Sequence, residues 1–108
     1  MKGLGDLAGL FKQAQQVKEK IEEAQEQLAN ETVTATAGGG MVTVTVNGKL
    51  QVVDLLIEPE VVNPEEIPML KDLLLAAIAE GQRRAGEMAK EKMQSVAGGL
   101  NINLPGIV

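Results

Sequence analysis

Two sets of residues in this 108-residue chain have the types and spacing to do chemistry, and both would act on phosphate. The first is the glycine run in "TAGGGMVTVTVNGKL", Gly38, Gly39 and Gly40. Consecutive glycines can cradle a phosphate with backbone amides where a strand leads into them and a helix N-terminus follows, because the free amides and dipole of that helix hold the anion. Here a strand-like alternation follows instead, and there is no Gly-Lys-Ser/Thr and no G-x-G-x-x-G. The glycines are therefore read as supplying the positive φ angles of a turn or bulge between two strands.

The second set is cationic. Residues 2 to 20 hold Lys2, Lys12, Lys18 and Lys20 against Asp6 and Glu19, and residues 80 to 93 hold Arg83, Arg84, Lys90 and Lys92 against Glu80, Glu87 and Glu91. Between them, residues 21 to 67 hold Glu22, Glu23, Glu26, Glu31, Asp54, Glu58, Glu60, Glu65 and Glu66 against Lys49 alone, so the net charge of −5 conceals a division along the chain. If the two terminal segments lie side by side, their cations form a small positive surface remote from an acidic body, which suits contact with a polyanion while the rest of the molecule is repelled by it. The alternative is that both segments are ordinary solvated faces of mixed charge. Because Glu19, Glu87 and Glu91 interleave with the cations, phosphate binding is expected to be weak and steeply salt-dependent.

The missing residue types narrow the function further. With no His, Cys, Trp or Tyr and a single aromatic, Phe11, the chain cannot build histidine-assisted nucleophiles, thiolate chemistry or His/Cys metal sites. An active site would rest on lysines, arginines, carboxylates, Ser95 and the threonines, and no such constellation stands out, so no enzyme activity, cofactor or small-molecule substrate is expected. Aromatic platforms for single-stranded bases are missing too. No run approaches the roughly 18 apolar residues that span a bilayer, and "MKGLGDLAGLFKQ" carries no cleavage-site pattern, so a soluble cytoplasmic protein without a membrane partner is expected.

The elements that would position these residues are legible from hydrophobic period. Leu7, Leu10, Ala14, Val17, Ile21, Ala24 and Leu28 recur at alternating spacings of three and four, which predicts a helix over residues 6 to 29 with a seam for a helical partner or for the protein's own sheet. "TVTATA", "MVTVTV" and "LQVVDLLIEP" then predict three antiparallel strands within residues 31 to 58. At the Asn47-Gly48 hairpin a two-residue turn pairs Val46 with Lys49, whereas a three-residue loop with a glycine bulge pairs Val44 with Leu50 and Val42 with Val52. The second register is preferred because it gathers Thr43, Thr45, Lys49 and Gln51 on one polar patch. "NPEEIP" predicts a short helical turn with Asn63 as N-cap, Pro64 at its first position and Glu66 as capping-box partner.

A last helix is expected over residues 68 to 96, stopped by Gly98-Gly99 and followed by a tail over 98 to 108. Its first half, "MLKDLLLAAIA", is apolar enough to be deeply buried. Ala77, Gly81, Ala85 and Ala89 form a small-residue stripe that admits another helix closely or is an incidental part of a core face. The result is one α+β domain whose sheet edges and long helices leave apolar surface for self-association.

The order helix, "GGGMVTVTVNGK", "IEP", "LKDLLLAA", "EKM" and "GGLNINLPG" resembles, over nearly the whole chain, the YbaB/EbfC family of small bacterial nucleoid-associated proteins. The resemblance implies a tweezer-like homodimer with helices projecting from a β-body, no cofactor, and duplex-DNA binding with little or loose sequence preference in the nucleoid. By position, the family's glycine-rich turn corresponds to Gly38 through Met41 and its Leu-Glu-Asp-Leu motif to Leu70, Lys71, Asp72 and Leu73, with Lys71 departing from the usual glutamate. The family's DNA contact is attributed to the terminal helices, where Lys12, Lys18, Lys20, Arg83, Arg84, Lys90 and Lys92 are the available cations. A second hypothesis is a protein-interaction or chaperone-like dimer that ignores DNA and uses the helical seam with Met69, Met88 and Met93.

Overall fold

The structure is a computed structural model that describes the backbone of residues 2–99, with side chains from residue 6 onward. Helix α1 (Lys2–Asn30) passes almost without a linker into β1 (Thr32–Ala37), followed by β2 (Val42–Asn47) and β3 (Val52–Ile57). Two 3₁₀ turns (Pro59–Val61 and Pro64–Glu66) then lead into helix α2 (Ile67–Gly99). The strands form one antiparallel sheet in the order β1-β2-β3, as the α+β expectation required. Both helices outrun their expected limits, and Gly98 and Gly99 belong to α2 rather than ending it. The expected tail from residue 100 onward lies outside the described residues.

The core is one face of the sheet against one stripe of α2. In β1 and β2, Val33, Ala35 and Ala37 stand opposite Val46, Val44 and Val42, so all six aliphatics share a face. Val42, Val44 and Val46 are fully buried there, with Ala77, Gly81 and Ala85 of α2 upon them. The small-residue stripe thus serves the sheet and not another helix. A Cβ on Gly81 would lie 2.8 Å from Val46 Cγ2 and 3.0 Å from Val44 Cγ2, so the helix backbone rests directly on the valines. The first half of α2 is less buried than expected: Met69 and Leu75 are exposed, because α2 covers β1 and β2 on one side only and leaves its other side and β3 open.

The β2–β3 hairpin corrects the expected register. Val46 pairs with Val52, Thr45 with Asp54, Val44 with Leu55 and Val42 with Ile57, with a bulge beside Thr45 and Val46. Thr43 and Thr45 therefore face Leu56 and Asp54, and the polar patch with Lys49 and Gln51 does not form. The reason lies in the loop over residues 48 to 50. Its positive-φ residue is Leu50 (φ 67°), not a glycine, and the Leu50 amide donates to the Asn47 carbonyl. Gly48 instead answers a close approach, for its amide donates to both Leu28 O and Glu31 O, and a Cβ there would lie 2.7 Å from Leu28 O.

Asn47 fixes this junction. Its buried side chain donates to Ala29 O (3.2 Å) and Gln51 Oε1 (2.7 Å) and accepts from the amides of Lys49 (2.9 Å) and Gln51 (3.1 Å), using its full donor capacity. Carbonyls that α1 would leave without partners at its C-terminus are thereby satisfied by the hairpin. At the other hairpin, Gly38, Gly39 and Gly40 all take positive φ, as expected of a turn. Asn63 caps the second 3₁₀ turn by accepting from the Glu65 amide, with Pro64 next in sequence.

The molecule is long and thin. Its principal extents are 77 × 21 × 18 Å, and its radius of gyration of 20.5 Å far exceeds the roughly 13 Å of a compact chain of this length. Lys92 Nζ meets Glu31 Oε1 at 2.9 Å, so the end of α1 lies beside the last third of α2. At 1.5 Å per residue, α1 is about 43 Å long and the stretch of α2 from residue 67 to 92 about 37 Å, and only an antiparallel arrangement pointing α1 away from the body gives the observed length. Ala24 and Leu28 are buried at its root, while Leu7, Leu10 and Phe11 are exposed. About 30 Å of α1 thus projects past the end of α2.

Two outcomes follow for stability. Gly81→Ala adds a methyl where no space exists, so despite a helix-propensity gain of about 1 kcal/mol it should lower urea-derived stability by about 1–2 kcal/mol, whereas Gly86→Ala, whose Cβ would meet only Leu50 Cδ2 at 3.9 Å, should raise it. Asn47→Asp removes the amide donor facing Ala29 O and should cost about 1–3 kcal/mol, with faster amide exchange at Gly48 and along the end of α1.

Candidate functional site

Helical spacing gathers four charged groups on the second half of α2. Glu80, Arg83, Arg84 and Glu87 sit three and four residues apart, which places their side chains on adjoining turns. Arg83 donates from Nε to Glu80 Oε2 (3.0 Å), from Nη2 to Glu80 Oε1 (2.7 Å) and from Nη1 to Glu87 Oε1 (2.7 Å). Arg84 donates from Nε to the same Glu80 Oε1 (3.0 Å) and from Nη1 to the Thr34 carbonyl of β1 (2.9 Å). The hydrogen bonds from Arg83, then the one from Arg84, pull the Glu80 carboxyl down to about 2, and the bonds with Glu80 raise Arg83 in turn. The formal charges of the two arginines and two glutamates sum to zero.

The other cations divide by availability. Lys92 is tied to Glu31, and Lys20 lies 3.6 Å from Glu23 in an exposed pair that solvent weakens. Among the described residues, Lys12, Lys18 and Lys90 form no ion pair and are exposed. The expected juxtaposition of the two cationic segments is partial. The end of α1 meets α2 near Lys92, but Lys12 and Lys18 lie farther out, beyond the end of α2. At 100° per residue Lys12 and Lys18 stand about 120° apart around the helix, so the arm offers charge on more than one side and no single basic groove. Glu19, Glu22, Glu23 and Glu26 form a carboxylate ridge at the arm's base, between those lysines and the body.

The glycine turn is exposed, and Cβ atoms on Gly39 and Gly40 would meet nothing within 4 Å, but a strand and not a helix N-terminus follows it. A Cβ on Gly38 would lie 2.9 Å from Leu73 Cδ2, so only this end of the turn closes against α2. Among the described residues there is no group of three carboxylates placed to hold a metal ion, and no helix is long and apolar enough to cross a membrane. The apolar surface is concentrated elsewhere: Ile67, Leu70, Leu74 and Leu75 line a groove on the open side of α2, and Val53, Leu55 and Leu56 are exposed on β3. Two residues important to this geometry, Glu80 and Asn47, did not stand out as site residues. Glu80 had a signal, since its spacing to Arg83, Arg84 and Glu87 is that of helical ion pairs.

Comparison with known proteins agrees with this architecture. A protein of Rhodococcus erythropolis named as nucleoid-associated is 45% identical over 105 residues, covering 97% of this chain and 94% of its own length. A nucleoid-associated protein of Syntrophobacter fumaroxidans is 48% identical over 103 residues, covering 90% of this chain and 94% of its own. An uncharacterised Helicobacter pylori protein of known crystal structure superposes with a TM-score of 0.72 at 27% identity, covering 85% of this chain and 94% of that one. The profile of the YbaB/EbfC DNA-binding family matches residues 2–100. On that match and those relatives, this chain belongs to the YbaB/EbfC DNA-binding family.

Proposed function

We propose that this protein is a homodimeric nucleoid-associated protein of the cytoplasm that binds duplex DNA through phosphates, with little sequence preference, from its projecting helices. The feature that supports it most is Lys12 and Lys18, which form no ion pair among the described residues, on an arm that projects about 30 Å past the end of α2. Lys90 lies on α2 near the arm's root. The other candidate cations on the two helices, Lys20, Arg83, Arg84 and Lys92, must leave a carboxylate before they engage a phosphate. A short list of phosphate contacts suits loose recognition, because such contacts carry no sequence information directly.

Dimerisation is proposed through the open apolar surface of the body. β3 is a sheet edge whose outward N–H and C=O groups face solvent, and Leu56 (62% exposed) and Leu75 (57% exposed) lie on β3 and on the open side of α2. A second copy seated there would cover these apolar groups and leave both arms free. Two arms on one duplex would bind through effective concentration as well as contact. The alternative, a protein-binding module, is favoured by Leu7, Leu10 and Phe11, which expose apolar surface on the same arm.

Sedimentation should find a dimer for the native chain and a monomer for Leu56→Glu/Leu75→Glu, and a native monomer would remove the proposed dimer. Fluorescence anisotropy of a random-sequence duplex from roughly 20 to 200 mM salt should give a linear log-log decline, and Lys12→Gln/Lys18→Gln/Lys90→Gln should flatten it by about 2 to 3 units. No binding at the lowest salt would transfer the arm to a protein partner.

A further inference from the structure

We infer that Glu80 is an affinity-setting residue, an internal competitor that holds Arg83 and Arg84 in the geometry a DNA phosphate would otherwise occupy. The inference rests on the DNA-binding function proposed above. Glu80 meets Arg83 with two donors on its two oxygens, 3.0 Å from Nε and 2.7 Å from Nη2, and this fork is how guanidinium takes a phosphate. Its Oε1 accepts from Arg84 Nε as well, so one carboxylate occupies two guanidinium groups. Glu87 takes only Arg83, and the Thr34 carbonyl takes only a terminal nitrogen of Arg84. Glu80 is therefore the single carboxylate shared by both arginines, and its change frees the Nε–Nη2 edge of Arg83 and the Nε of Arg84 while Glu87 and the Thr34 carbonyl keep one terminal nitrogen of each.

The clamp is positioned to compete without being permanent. The side chains of Arg83, Arg84 and Glu80 are 56%, 51% and 35% exposed, so an incoming phosphate reaches the guanidinium groups directly. Exposed ion pairs contribute little to folding, so opening the clamp leaves the fold intact. As long as it is closed, a phosphate meets two arginines and two glutamates, a patch of no net charge. The cluster thus keeps two strong phosphate ligands in reserve and holds overall affinity down.

Glu80→Gln keeps helix propensity and side-chain size while removing the charge that holds the fork. At about 50 mM salt it should tighten binding to a random-sequence duplex about fivefold or more and steepen the log-log salt slope by about 1 to 2 units, one or two phosphates having been added. Glu80→Ala should do the same, and circular-dichroism melting should show both folded. Glu80→Gln/Arg83→Gln/Arg84→Gln should lose the gain. Glu91→Gln serves as the charge control, because it removes the same charge from the same helix at a residue with no ion pair among those described. Its slope should equal that of the native chain. If Glu80→Gln leaves the slope unchanged while the native protein binds, or if Glu91→Gln matches it, the clamp is overturned and the proposed function stands. If neither the native chain nor Glu80→Gln binds at about 20 mM salt, both fall.

Discussion

The close approach of α2 to the sheet is the constraint on which the rest of the molecule depends. Ala77, Gly81 and Ala85 bring the helix backbone down onto Val42, Val44 and Val46, and that contact is the described core. Because the interface is made of small residues against β-branched ones, it is thin and covers only the β1 and β2 side. The described residues therefore leave an apolar edge and an apolar helix side exposed, and many of them lie on an arm that buries little.

The same contact orients the charged groups. With Ala77, Gly81 and Ala85 turned to the sheet, Glu80, Arg83, Arg84 and Glu87 turn toward solvent, and Arg84 reaches the β1 edge at Thr34. The junction of α1 with the hairpin, held by Asn47 and Gly48, fixes where the arm leaves the body. A protein of net charge −5 is repelled by DNA at long range, so its useful cations must be carried away from its carboxylates. The arm does this for Lys12, whereas Lys18 borders Glu19 and Glu22 of the carboxylate ridge and Arg83 and Arg84 stay among glutamates.

Most of the architecture was legible in the sequence because its signals are periodic: the three-and-four spacing of α1, the Thr/Val alternation of β1 and β2, and the glycines of the first turn. The β2–β3 register was not, because Asn47-Gly48 has the signature of a hairpin turn while Gly48 is kept for its contact with Leu28 and Glu31. The left-handed position fell to Leu50, which no propensity argument would choose. The exposure of Leu75 in an apolar run was likewise hidden, since apolar content shows that a face will be covered without showing by which chain. For the charges, sequence located the cationic segments, but only coordinates distinguished Lys12, Lys18 and Lys90 from arginines already paired with Glu80.

Lysine acetylation footprinting, read by mass spectrometry with and without a random-sequence duplex at low salt, tests most directly whether the projecting helices make the DNA contact. Contact through the arms should strongly protect Lys12, Lys18 and Lys90 and leave Lys49 in the hairpin and Lys71 on the body unchanged. Protection centred on Lys49 or Lys71, with Lys12 and Lys18 reacting as freely as before, would contradict it.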